Sequence, residues 1–361
     1  MLESRAQTIS EQLAGEFLRN GNFDAARAAM DSNTVASILP SAAGWEFPHF
    51  TEYGFESLSV QSVGYTSGAE EEIVHVYVTR GSKRSLDKLS TDVDGVKVQV
   101  INLGRLAVKP EAAAAVGVHG NVYERNNRIA CGSSCAPAGE NYSGTFGALV
   151  RSDGNLMALS NNHVFAACNH VIVGQPILAP SAIDARPDVP APRQLCRHAR
   201  IVELRSGTPA LVPLMRSDAA IASVPDDDTV TSWQGDDSRG FDTPALTVPP
   251  ACGQRVKKVG RTTDVTFGTV EALISTPMAL PYKTRYFTAT VWFTDVWAVR
   301  ADENDHFALP GDSGSLVVTE GGEAAVGLLF ASTNKGDYGF IAPIETVLND
   351  LGLSLVSNHR I

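Results

Sequence analysis

Apolar positions recur at helical spacing at the start of the chain and at strand spacing further on. Leu2, Ile9, Leu13, Phe17 and Leu18 mark one helical face within residues 2–30. Gly15 and the Asn20-Gly21-Asn22 cluster weaken or break that run, and alanine-rich Phe23–Met30 predicts a second helical piece. From Ser57 the period shortens. Leu58–Val63, Ile73–Val78 and Val96–Val100 alternate or run β-branched, with Asp94-Gly95 as a turn before the last. Residues 55–108 therefore read as a small α/β or β unit, and Lys109–Ala115 with the polar run Glu124–Arg128 as a connection.

From Thr145 to about Ala342 the pattern is short strands punctuated by turns. Phe146–Val150, Leu156–Ser160, Ala219–Val224, Val256–Val259, Gly268–Ile274, Phe287–Val299, Ser315–Val318 and Ala325–Phe330 are the clearest. Such spacing predicts a mainly β sandwich or barrel. A proline-rich loop spans residues 179–194, and Ile344, Val347, Leu348 and Leu351 line one face of a closing helix. The expected division is a helical segment over 1–50, an accessory unit over 51–125 and a larger β domain over 126–361.

Composition narrows the function. A formal charge of -11 disfavours non-specific binding to nucleic acid or anionic membrane. No apolar run is long enough to span a bilayer, and the opening MLESRAQTISEQLAGEF lacks the apolar stretch of a secretory signal. A cytoplasmic protein is expected. The odd count of 5 cysteines, without such a signal, predicts reduced thiols.

Three motifs carry chemistry. Pro310-Gly311-Asp312-Ser313-Gly314-Ser315 precedes the apolar run Leu316-Val317-Val318. A nucleophilic serine needs a tight turn that exposes its hydroxyl, and flanking glycines permit one. The Gly311 and Ser313 amides would then face a developing oxyanion. Ala158-Leu159-Ser160-Asn161-Asn162-His163-Val164 delivers a histidine at a strand mouth, where imidazole supplies a base near neutrality. Ser217-Asp218-Ala219-Ala220-Ile221-Ala222 opens a strand with an aspartate able to accept the imidazole N–H. Asp184, Asp188 and Asp226–Asp228 are rival carboxylates in loop-like sequence.

The order His163, Asp218, Ser313 across a β-rich region resembles the chymotrypsin-like, two-barrel serine proteases. SNNHV, DAAIA, KKVGRTTDVTFGTV and PGDSGSLVV look like a bacterial trypsin-like peptidase group related to the plant narrow-leaf protein. The similarity covers roughly residues 55–355, and Gly260-Arg261-Thr262-Thr263 is its most distinctive piece. Read from its own residues, that piece is a turn with Arg261 free for a structural ion pair. The resemblance implies a chymotrypsin-like double β-barrel and a serine endopeptidase acting on protein or peptide substrates, with homo-oligomers in the group. It also places Phe307, six before the nucleophile, at the base of the primary substrate pocket, which argues against cleavage after Lys or Arg. No Ile-Val-Gly-Gly-like sequence precedes the β region, so Asp312 needs a partner other than a freed N-terminus.

No step of that chemistry requires a cofactor. Cys168-Asn169-His170 and Cys196-Arg197-His198 nevertheless repeat a Cys-x-His unit that would suit a structural zinc ion. Two buried cysteines or a 168–196 disulfide are the other readings. A catalytically silent protease-like protein that binds peptides or assembles complexes is the alternative function. An α/β-hydrolase esterase fails on topology, because a strand follows Ser313 and His163 comes first.

Overall fold

The computed structural model describes residues 4–361 apart from 24–49, 52, 67, 69–70, 105, 109–110, 113–119, 209–211, 286 and 304. Leu2 and residues 24–30 of the expected second helical piece lie outside the described residues. The first helix runs Arg5–Arg19, with the Ser4 hydroxyl accepting the Gln7 N–H at 3.0 Å as its cap. Gly15 does not break it. Its buried face, Ile9, Leu13, Phe17 and Leu18, packs on Val60–Thr66 and Ile73–Val78. Phe17 stands edge-on to Phe50 at a ring separation of 5.1 Å.

Val60–Thr66 pairs antiparallel with Ile73–Val78, and Ile73–Val78 pairs parallel with Val96–Asn102. This sheet does not end within the accessory region. Gly64 and Tyr65 pair with Ile274 and Leu273 of the long strand Asp264–Ile274, so the strands join the larger β region in one sheet. A Cβ at Gly64 would lie 2.8 Å from the Leu273 carbonyl oxygen, so only glycine allows the approach.

The protein is mainly β. Arg255–Gly260, Leu316–Thr319, Ala324–Thr333, Tyr338–Pro343, Trp297–Ala301 and Asp264–Ile274 pair in that order. The last returns to the first, closing a six-stranded barrel. Val256, Val270, Val299, Phe307, Leu329 and Ile341 fill it. A second, nine-stranded sheet includes Ala148–Ser152, Asn155–Ser160, Ala220–Ser223, Arg193–Ile201 and Tyr142–Thr145. Its apolar layer centres on Phe146, Leu149, Phe165, Ile177 and Leu195.

The closing helix, Ile344–Leu351, packs on two barrel strands and stops at Gly352 in the left-handed region, φ +63°. Ser354–Leu355 then pairs with Ala148–Ser152, tying the chain end into the second sheet. Among the described residues no helix is long and apolar enough to cross a membrane.

Two expectations change. The single strand foreseen over Phe287–Val299 is two, Thr288–Phe293 and Trp297–Ala301, divided at Asp295 with φ +57°. The first pairs with Met278–Lys283 in a hairpin outside the barrel path, a strand that Pro281 obscures. Cys131-Gly132-Ser133-Ser134-Cys135, whose glycine and serine filling reads as a loop, has its cysteines on the strands Arg128–Cys131 and Ser134–Pro137.

Candidate active site

His163 lies just beyond the strand Asn155–Ser160, in the short helical turn Asn162–Phe165. Ser160 pairs with Ala220, which stands two residues after Asp218, so the ladder brings both motifs to one sheet end. Asn161 reinforces this, its Nδ2 donating to the Asp218 carbonyl at 2.6 Å. His163 Nδ1 lies 2.6 Å from Asp218 Oδ2, and the His163 backbone N–H donates to Oδ1 at 3.2 Å. Both side chains are fully buried. A carboxylate oxygen so close to Nδ1 fixes the proton there, which leaves Nε2 as the free base. Nε2 is buried and has no hydrogen-bond partner among the described residues.

Ser313 sits in a turn between the two sheets. The Thr145 N–H donates to its carbonyl at 2.9 Å, and the Gly314 N–H donates to Leu329 O at 2.9 Å. The Ser315 N–H and hydroxyl both donate to Asp312 O, at 3.0 and 2.7 Å. Gly314 has φ +97°, and a Cβ there would lie 2.3 Å from Ser160 Oγ. The serine turn thus packs directly on the strand end that carries His163. Neither the Gly311 nor the Ser313 N–H donates a hydrogen bond among the described residues. Two unengaged amides, two residues apart on one turn, suit an oxyanion.

Asp312 points the other way, into a buried cradle. It accepts the amides of Thr262 (2.7 Å), Thr263 (3.1 Å) and Leu309 (2.9 Å) and the Thr263 hydroxyl at 2.8 Å. Lys258 Nζ stands 3.4 Å away with both side chains fully buried. Burial pushes the lysine pKa down, and the Asp312 carboxylate opposes that. Backbone amides and an internal lysine therefore supply what a freed N-terminus would.

Arg261 is bound as closely. Its Nε donates to Asp184 Oδ2 at 2.9 Å, and its Nη2 to Oδ1. Asp184 also accepts the Gly120 N–H at 2.8 Å and the hydroxyls of Ser134 and Ser181 at 2.5 and 2.9 Å. Burial alone would raise the Asp184 pKa, but Arg261, Ser134 and the Gly120 amide hold it well below the usual carboxylate range. The rival carboxylate of the sequence is thus the partner of Arg261 and pins the serine turn from outside. Arg261 N–H donates to Thr145 Oγ1 (3.0 Å), which donates to Gly311 O (2.9 Å).

The end of the 55–108 unit and the start of the stretch read as a connection both reach this region. Leu106 and Ala107 pair antiparallel with Thr333 and Ser332, Val108 bridges Tyr282, and Glu111 and Ala112 pair antiparallel with Ser143 and Tyr142. Leu106–Ala107 therefore adds to the barrel strand beyond Leu329, and Glu111–Ala112 to the second-sheet strand before Thr145. Val108 is buried, as is Ser313 at 7% exposure.

Phe307 is packed inside the barrel, where Cβ atoms at Gly268 and Gly339 would meet its ring at 2.9 and 2.6 Å. It is a core residue there, with no exposed surface to offer the base of a pocket. The four zinc candidates are not brought together. Asp226, Asp227 and Asp228, all exposed, form the only group of three or more ligand side chains among the described residues. Cys168 and Cys196 are free, buried thiols in separate apolar clusters. His170 Nδ1 lies 2.6 Å from the Cys168 carbonyl oxygen while its ring stacks on Phe287, and His198 Nδ1 lies 3.2 Å from Ile172 O. Burial raises the Cys168 pKa and keeps the thiol protonated.

Two residues of the site escape the sequence reading. Tyr282 donates its hydroxyl to Asp218 Oδ2 at 2.7 Å, and Lys258 reaches Asp312. Tyr282 follows Met278 and Leu280 in an alternation that Pro281 disguises, and Lys258 beside Lys257 reads as solvated charge.

No protein-family model matches this sequence, and no curated protein resembles it significantly. Solved structures do. Protease A of Thermobifida fusca is 20% identical with a TM-score of 0.42, over 63% of this chain and 100% of that one. The chymotrypsin of Cellulomonas bogoriensis is 16% identical (TM-score 0.40; 63% of this chain, 98% of that one). A Nocardiopsis protease is 19% identical (TM-score 0.40; 62% and 97%).

Proposed function

We propose that the protein is a serine endopeptidase with Ser313 as nucleophile, His163 as general base and Asp218 as the group that orients it. The observation that carries this reading is the buried His163–Asp218 pair at 2.6 Å beside a glycine-flanked serine turn with two unengaged amides. His163 Nε2 takes the Ser313 Oγ proton as Oγ adds to the peptide carbonyl, and Asp218 stabilises the imidazolium that forms. The Gly311 and Ser313 N–H groups hold the oxyanion, each such donor contributing about 3 kcal/mol to the transition state. The imidazolium then protonates the leaving amine, and water repeats the sequence on the ester to release the acid.

The N-terminal region controls entry. Leu106–Val108 fills the edge of the barrel strand at Ser332–Thr333, where an extended peptide would add as an antiparallel strand. Ser313 and His163 Nε2 are buried, and Val108 bridges Tyr282 beside the His163–Asp218 pair, so a substrate adding along this edge must displace the segment. The same burial favours one second reading, a latent or silent protease-like protein.

Incubation with a degenerate peptide library, read by mass spectrometry, separates the two. Cleavage by wild type and none by Ser313→Ala is expected. Equal cleavage by both proteins would overturn the assignment, and cleavage by neither would favour the silent reading.

A further inference from the structure

The hairpin Met278–Lys283/Thr288–Phe293 belongs to neither large sheet, yet it reaches the catalytic carboxylate. Tyr282, 1% exposed, donates to the same Asp218 oxygen that faces His163 Nδ1. Its ring meets the His163 ring edge-on at 5.9 Å and stacks on Phe293 of its own hairpin at 6.1 Å. Burial first, and the Asp218 charge second, raise the tyrosine pKa far above its usual value. The phenol therefore stays protonated and can only donate toward Asp218.

We propose that Tyr282 is a positioning residue of the charge relay: its hydroxyl holds Oδ2 of Asp218 against the imidazole and draws off part of the carboxylate charge. This rests on the protease reading above. Two donors, Tyr282 Oη and His163 Nδ1, share one oxygen, so each weakens the other's hold on the charge. Without the phenol the carboxylate swings more freely and pulls harder on the Nδ1 proton. The first effect slows the reaction. The second favours the imidazolium, so a higher pH is needed to free Nε2. A hydroxyl that only steadied the carboxylate would produce the first change without the second, and a tyrosine that only filled space neither.

The test is the pH dependence of the second-order labelling rate with a fluorophosphonate, wild type against Tyr282→Phe. Phenylalanine keeps the ring and removes one hydrogen bond to a charged group, so the rate at neutral pH should fall about tenfold. The acidic limb should move to higher pH. A slower rate with an unmoved limb, or an unchanged rate, would overturn the proposal. If Tyr282→Phe does not fold, 3-fluorotyrosine at this position serves instead. Its stronger donor should move the limb to lower pH, and an unmoved limb would again count against the role. Wild type that does not label at all would instead break the protease reading.

Discussion

Three buried carboxylates surround the serine turn, and they are held in contrasting ways. Asp184 has a bidentate guanidinium, and Asp312 has an ammonium and three backbone amides. Among the described residues Asp218 has no fixed cation: its donors are a phenol, one backbone amide and an imidazole. A buried carboxylate beside a permanent cation is already compensated and serves geometry. One facing a group that gains charge only during turnover is compensated most fully at that moment. The contrast separates the groups that build the turn from the group that works with it.

Substitutions should respect that division. Asp218→Asn leaves the backbone in place but loses the carboxylate that sets the tautomer, so activity should fall about 10⁴-fold with the melting temperature nearly kept. A stability loss larger than the activity loss would place Asp218 among the structural carboxylates. Lys258→Met should cost stability as well as activity. It strands a buried charge, at a cost of about 3–5 kcal/mol in urea unfolding. Activity should disappear with it, because the Gly311–Ser313 amides lose their support.

The pH dependence of stability sharpens the contrast further. The folded pKa of Asp184 lies below its unfolded value, so in that window the unfolded chain binds more protons. The pair's contribution is complete above about pH 4 and is lost as pH falls toward the folded pKa. Asp184→Asn should therefore be strongly destabilised at pH 7 and show a shallower fall in acid. Equal acid slopes in urea titrations of the two proteins would contradict the assignment.

The approach of His163 to Asp218 is legible in strand-end placement and order, and the tight turn at Ser313 in its flanking glycines. What stayed hidden depends on contacts far apart in the chain. Tyr282 lies 64 positions from Asp218, and Arg261 lies 77 from Asp184. A hydrophobic period assigns faces but not partners, so it gives neither Lys258 nor Asp184 its partner. The repeated Cys-x-His spacing suggested metal, but Cys168 and Cys196 belong to different apolar clusters. Phe307 had the right offset from Ser313 for a pocket wall, yet the barrel interior needed a large side chain there.

The smallest expected effect concerns the segment Leu106–Val108. Val108→Asp places a charge at a buried apolar site and should loosen the segment's hold beside Tyr282. Labelling of Ser313 should then quicken several-fold, and an unchanged or slower rate in a folded variant would argue against a cover.

The roles of Ser313 and His163 are open to a single measurement, the mapping of fluorophosphonate adducts by mass spectrometry in wild type, Ser313→Ala and His163→Ala. One adduct on Ser313 in wild type, none in Ser313→Ala and a strongly slowed reaction in His163→Ala are expected. An adduct at another residue, or equal labelling of wild type and Ser313→Ala, would contradict those roles.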